Sequence, residues 1–230
     1  MSAGEEELDL GSEDGYRKGW NPYDHYKDIK IAEDYDRKRF SSVPGKVFNN
    51  LEKSRISRIF STLPENSLIL DAPCGTGRFS EVLLELGHRV IGLDISPAMV
   101  EVASRKLSGF GARFEARVQD VRTLKPGEDA FDAALCARVL MHFPLNEQID
   151  FLTNIASVTR EMVVFNQSLN SSYGVLRRKI KKLLGNQEPA AYPITWKESE
   201  KLITGAGLKC SERRLLFPLV SEATFFVCTR

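Results

Sequence analysis

Residues 68–79 read Leu68-Ile69-Leu70-Asp71-Ala72-Pro73-Cys74-Gly75-Thr76-Gly77-Arg78-Phe79, and the fold turns on how that stretch is read. The first three residues form a short, wholly apolar run, the mark of a strand covered on both faces. Gly75 and Gly77 then let the backbone turn tightly. Phe79, Val82, Leu83 and Leu86 recur at helical spacing, and Gly87-His88 ends that helix. Strand, glycine turn and helix in this order bring main-chain amides at a helix N-terminus against a ligand. A G-x-G turn also occurs as plain chain reversal. Its place between a buried strand and a periodic helix favours a nucleotide-type ligand.

The sign of a charge narrows the choice. The spacing Gly75-x-Gly77-x-x-Ser80 is a near miss for a dinucleotide fingerprint. Asp71, at the strand mouth beside the turn, would repel a pyrophosphate and suits a ligand bearing an ammonium or sulfonium group. Asp94 lies 17 residues beyond Gly77, at the end of the second apolar strand, 90–94. There it can accept hydrogen bonds from both hydroxyls of a ribose, or act only as an acid supporting the helix start at Ser96-Pro97. Ile95 would lie against an adenine face, with Met99 one helical turn on. Asp120, ending a third strand at about 113–118, can accept from the adenine amino group, with backbone amides near Val121 assisting. The alternative for Asp120 is a turn-initiating role.

Further along, 131–136 reads as a fourth strand, 145–158 as a helix and 161–165 as a fifth strand. Repeated βα units of this length require right-handed crossovers and a parallel sheet, with ligands outside the strand C-terminal ends. The last two strands, 208–216 and 223–228, are joined by too few residues for a helical crossover, so they pair antiparallel.

The runs LILDAPCGTGRF (68–79), VIGLDISPAM (90–99), Gln119-Asp120-Val121 and FDAALCARVLMHF (131–143) resemble class I S-adenosylmethionine-dependent methyltransferases, over about 67–166. The resemblance implies a Rossmann-like three-layer α/β/α sandwich, its seven-stranded, mostly parallel sheet ordered 3-2-1-4-5-7-6 with the last strand inserted antiparallel. It implies S-adenosyl-L-methionine as cofactor. Asp71, Ala72, Gly75 and Gly77 would surround its methionine moiety, Asp94 its ribose and Asp120 its adenine. Pro73 stands where the family more often has glycine, which removes one backbone donor from the loop. Cys136, Ala137 and Arg138 would run beside the sulfur end. His142, one helical turn past Arg138, is a candidate general base or orienting group, since histidine titrates near neutrality. A structural role for His142 is the alternative, and Arg138 is read either as a substrate-anion site or as half of an ion pair.

Three domains of behaviour follow. Residues 1–14 carry six carboxylates and no Lys or Arg, so 1–15 is expected to be a disordered acidic tail. Residues 16–62 read as a helical cap with helices at 24–37 and 45–62, separated by Ser41-Ser42-Val43-Pro44-Gly45. In similar small-molecule enzymes an Arg from the cap closes over the cofactor carboxylate, which nominates Arg37, with Arg39 in reserve. Residues 63–230 form the methyltransferase domain, in which 167–206 holds a substrate-lid insertion. Within that insertion 175–184 is a basic amphipathic stretch, readable as a solvated face, a site for an anionic substrate or carrier, or a membrane-surface or RNA contact.

Composition sets outer limits. A net charge of +1 excludes a strongly basic nucleic-acid binder, and no apolar run reaches the length of a membrane helix. Cys74, Cys136, Cys210 and Cys228 lie far apart in sequence with no C-x-x-C, which disfavours zinc or a disulfide framework and points to a reducing, cytoplasmic setting. The expected activity is methyl transfer to a small-molecule or carrier-linked acceptor. RNA or protein methylation, or a non-catalytic cofactor-binding subunit, are the rival readings.

Overall fold

A computed structural model describes residues 32–33, 40–125, 130–170, 192–216 and 223–230. Seven strands form one sheet: β1 (Leu68–Asp71), β2 (Arg89–Asp94), β3 (Phe114–Val118), β4 (Phe131–Cys136), β5 (Thr159–Ser168), β6 (Lys209–Leu215) and β7 (Ala223–Thr229). Their order is β3-β2-β1-β4-β5-β7-β6, as the resemblance implied. The first five run parallel, while β7 is antiparallel to both β5 and β6.

The described helices are α1 (Val43–Phe60), α2 (Arg78–Glu85), α3 (Pro97–Lys106), α4 (Leu145–Ser157) and α5 (Trp196–Gly205). They cover both faces of the sheet, and the covering splits the core in two. One cluster joins Leu70, Leu93, Phe131 and Phe226 to Phe151, Leu152 and Ile155 of α4 and to Leu202 and Ile203 of α5. The other joins Ile69, Leu135, Val164 and Phe225 to Leu83 of α2 and to Ile56 and Phe60 of α1. Alternate residues of each strand thus face opposite layers, as the period of two requires.

The cap helix α1 begins earlier than the expected 45–62. The residues read as a break form its cap instead: Ser42 Oγ accepts from the Gly45 N–H at 3.2 Å, and Pro44 occupies the first turn, where no amide donor is needed. Val47, expected on the packed stripe, is exposed, while Ile56, Ile59 and Phe60 are buried. The His88 ring donates from Nε2 to the Phe60 carbonyl at 3.1 Å, fixing the end of α1 to the start of β2.

Strand β5 is ten residues long and outruns the expected 161–165 at both ends. Its extension contains Asn166 and Gln167, which are buried although polar. Beyond it, Leu169 pairs with Ile194 in a parallel bridge, so the insertion returns beside the strand it left. The edge strands β3 and β6 are ionic: Glu115 and Arg117 pair along β3 at 2.8 Å, and β6 carries Lys209, Glu212, Arg213 and Arg214 with a register shift between Cys210 and Glu212.

The expected acidic tail (1–15), most of the first cap helix, Arg37, Arg39 and the basic stretch 175–184 lie outside the described residues. Among the described residues no helix is long and apolar enough to cross a membrane.

Candidate active site

The glycine turn is built from backbone bonds at the C-terminal ends of three strands. The Ala72 N–H donates to Leu135 O of β4 at 2.9 Å, and the Cys74 N–H to Leu93 O of β2 at 2.8 Å. The Gly77 N–H closes the turn on Cys74 O at 3.0 Å. Gly77 has φ 75° and caps α2, and a Cβ there would sit 2.7 Å from Leu107 Cδ1, so neither the conformation nor the space admits a side chain. Gly75, at φ 54°, has nothing within 4 Å of the position a Cβ would take. That opening is where a ligand can lie against main chain.

Asp71 is 1% exposed at the mouth of β1. Ser80 donates its hydroxyl to Oδ2 at 2.6 Å, while Oδ1 is buried with no hydrogen-bond partner. Burial pushes this carboxyl up to about 7, against the lowering effect of the Ser80 bond and of Arg78. A buried carboxyl oxygen without a donor is a demand for one.

Asp94 holds two loops. Its Oδ2 accepts from the Gly75 N–H and its Oδ1 from the Ser96 N–H, each at 2.9 Å. The two roles foreseen for it are compatible: a carboxylate offers about four lone-pair sites, and the backbone donors of Gly75, Ser96 and Ile95 do not take all of them. Burial raises its carboxyl, opposed by backbone bonds from Ser96, Gly75 and Ile95. Ser96 Oγ caps α3 through the Met99 N–H at 3.2 Å. Ile95 is 40% exposed, an apolar platform beside the turn. Met99 points elsewhere, into a small cluster with Ala98 and Ala32 of the cap.

Asp120 initiates a turn, one of the two roles read for it. It accepts from the Arg122 N–H at 2.9 Å and from the Arg122 guanidinium at 2.6 Å, capping a short 3-10 turn, Val121–Thr123. Partial burial works against ionisation, yet the Arg122 bonds hold its carboxyl below the ordinary range. Val121 is buried in the core.

Past β4, Cys136 is fully buried, and burial followed by the nearby Asp71 charge pushes its thiol up, which fits packing and not nucleophilic chemistry. Arg138 adopts φ 63°, and its N–H donates to the buried Asn166 Oδ1 at 2.6 Å. His142 does not begin a long helix. It ends a 3-10 turn, Leu140–His142, that stands before α4 and that the Tyr192 N–H joins at Met141 O, 2.7 Å away.

Residues 69–162 match the family model for a methyltransferase domain. Sheet order, glycine turn and strand-end acids agree with it. Over residues 69–162 the chain matches a methyltransferase domain, in a sheet of class I methyltransferase order. Ubiquinone biosynthesis O-methyltransferase of Xanthomonas axonopodis pv. citri is 33% identical over 103 residues, 44% of this chain and 43% of that protein. Magnesium protoporphyrin IX methyltransferase of Arabidopsis thaliana is 28% identical over 149 residues, 64% of this chain and 48% of that one. The match thus spans less than half the length of either relative. The crystal structure of magnesium protoporphyrin IX methyltransferase from Synechocystis PCC 6803 with bound SAH shares the fold at a TM-score of 0.74 and 18% identity, covering 90% of this chain and 97% of that one.

Around this methyltransferase domain the structure adds residues that were not singled out from sequence. Glu52 of α1 is wholly buried, accepting from Arg78 Nη1 at Oε2 (3.0 Å) and from Arg138 Nη1 at Oε1 (2.9 Å). Arg78 also donates to Asn49 Oδ1 at 2.7 Å and stacks its guanidinium 3.8 Å from the Phe79 ring centroid. One carboxylate therefore ties the cap helix to the residue after the glycine turn and to the second residue beyond β4. The signal lay in the spacing Phe48, Glu52, Ile56, Phe60, a charge on an otherwise apolar stripe. A second network holds the far side of the post-β4 segment. Gln167 Nε2 donates to Gln148 Oε1 at 2.6 Å, and Gln148 Nε2 to Phe143 O at 2.7 Å.

Proposed function

We propose that this protein is an S-adenosylmethionine-dependent methyltransferase acting on a small-molecule or carrier-linked acceptor. The observation that carries the reading is the buried, unpartnered Oδ1 of Asp71 beside an open glycine turn. An ammonium group of a bound amino acid moiety would satisfy it, whereas a diphosphate would be repelled. Asp94 retains acceptor capacity for ribose hydroxyls, and exposed Ile95 offers a face for adenine. Asp120 and the amides near Val121 would meet the adenine edge, and Ala72 and Cys136 would back the pocket from the core. Arg37, outside the described residues, would meet the cofactor carboxylate.

S-adenosylmethionine supplies a methyl group on a sulfonium, whose departure leaves a neutral thioether. The protein therefore needs no acid or metal to expel the leaving group. Its task is alignment of an acceptor within about 3–3.5 Å of the methyl carbon in a water-poor site. Arg138 and His142 flank the acceptor side, Arg138 as a group oriented by Glu52 and Asn166, His142 as the base for an acceptor that must lose a proton. The names of the relatives, which act in quinone and tetrapyrrole chemistry, support a small organic acceptor. A reducing, cytoplasmic setting fits the four free thiols.

The test is titration calorimetry with S-adenosylhomocysteine. The protein should bind it, and Asp94→Asn should weaken binding by about 2–4 kcal/mol, the loss of charge from two hydrogen bonds partly offset by water. Unchanged affinity would remove Asp94 from the ribose site; no binding by the unaltered protein would overturn the proposal.

A further inference from the structure

Cys210 and Cys228 are 18 positions apart in the chain, and the sheet sets them directly opposite one another on β6 and β7. Both side chains lie against the same core cluster, so they occupy one face of the hairpin. The Cys210 thiol donates to the Glu212 carbonyl at 3.3 Å, beside the register shift of β6. Facing residues of an antiparallel pair have Cα atoms roughly 4.5 or 5.5 Å apart, depending on the pair type. Both values fall inside the roughly 4.4–6.8 Å that a disulfide spans. Spacing in sequence disfavoured a disulfide; strand pairing reverses that.

We propose that Cys210 and Cys228 form a dithiol modification site that takes a low-molecular-weight disulfide as oxidant and closes a reversible cross-strand bond between β6 and β7. The two sulfurs are unequal. Cys210 is half-buried on the edge strand, where an oxidant in solution can reach it. Cys228 is buried, and burial followed by the neighbouring Cys210 pushes its thiol up. Cys210 therefore attacks first. Its thiolate forms a mixed disulfide with one sulfur of the oxidant and releases the other half as a thiol. Cys228 then gives up its proton and attacks the Cys210 sulfur, forming the internal bond and releasing the second half as a thiol. Two protein thiols lose two electrons and two protons, and one external disulfide becomes two thiols.

The location predicts what this bond does. Cys228 pairs with Val163 of β5, five residues before the Ser168 end of that strand, so roughly 16 Å of strand separates the pair from the end where the ligand crevice opens. The bond would staple the edge of the sheet and leave the glycine turn untouched. It closes a loop of about 17 residues, which restricts the unfolded chain more than the folded one.

The experiment uses the whole protein incubated with glutathione disulfide and analysed by intact mass and peptide mapping. The expected result is loss of two hydrogens, one cross-linked peptide pair containing Cys210 and Cys228, and reversal by a thiol reductant. Oxidised protein should melt several degrees higher, while its affinity for S-adenosylhomocysteine changes less than twofold. Cys210→Ser, at the half-buried position, should fold and form no internal cross-link. Glutathione adducts that persist on Cys210 without conversion, a cross-link through Cys74 or Cys136, or a melting point unchanged on oxidation would each overturn the proposal.

Discussion

Asp71 has one oxygen on Ser80 and the other facing no donor, and its carboxyl is pushed up by burial to about 7 from 3.8. Between those two values the folded protein holds a proton that the unfolded chain has released. Folding stability from this group is therefore complete below about 4 and is lost as pH rises through about 7. Asp71→Asn keeps the shape and has no such proton. Thermal denaturation of the ligand-free protein should show the Asn variant gaining on the parent steadily from pH 4 to pH 7, with no further gain above. A constant difference across that range would show Asp71 to be ionised in the folded state. The same logic explains why the residue was legible in sequence: a carboxylate at the end of an apolar strand has a burial cost that only a cationic partner removes.

At the scale of elements, the strands and the glycine turn were readable because they depend on local pattern. Leu68-Ile69-Leu70, Gly75 and Gly77, and Ser96-Pro97 each act within a few residues of themselves. The segments misjudged are those whose conformation is set from a distance. Strand β5 runs on through Asn166 and Gln167 because partners on Arg138 and Gln148 satisfy their amides. Glu52 drew no attention in the sequence because its partners, Arg78 and Arg138, converge on it from distant elements. That convergence makes α1 a clamp whose grip is one side chain. Glu52→Ala should destabilise the protein by about 3–5 kcal/mol, since removing one partner leaves two guanidinium groups short of their anion in a desolvated place. Urea denaturation measures it, and a loss under 1 kcal/mol would show the cluster to be open to water.

Across the whole molecule, the sheet is the partition between two cores, and β7 shows it most directly. Phe225 belongs to the α1/α2 layer and Phe226, stacked 4.9 Å from Phe165, to the α4/α5 layer. Both are fully buried. Phe225→Ala and Phe226→Ala should each cost about 3–5 kcal/mol, although the two side chains are sequence neighbours that share no cluster. Denaturant titrations giving a small loss for either would mean that its layer is loosely packed. The helical period of α4 and the apolar run of β7 are visible in sequence, but which residue meets which layer is fixed only once the strand order is known.

The ionic margins of the sheet bear on how the protein behaves in company. Among the described residues, strands β3 and β6 each have one strand neighbour and form the two rims of the sheet, a template onto which another extended chain could add. Glu115, Arg117, Lys209, Arg213 and the bulge after Cys210 make that addition costly, because a docking strand would have to strip water from charges and follow a kinked edge. Crowded conditions that drive flat-edged sheets into fibrils should leave this one dispersed for as long as those rims keep their charges.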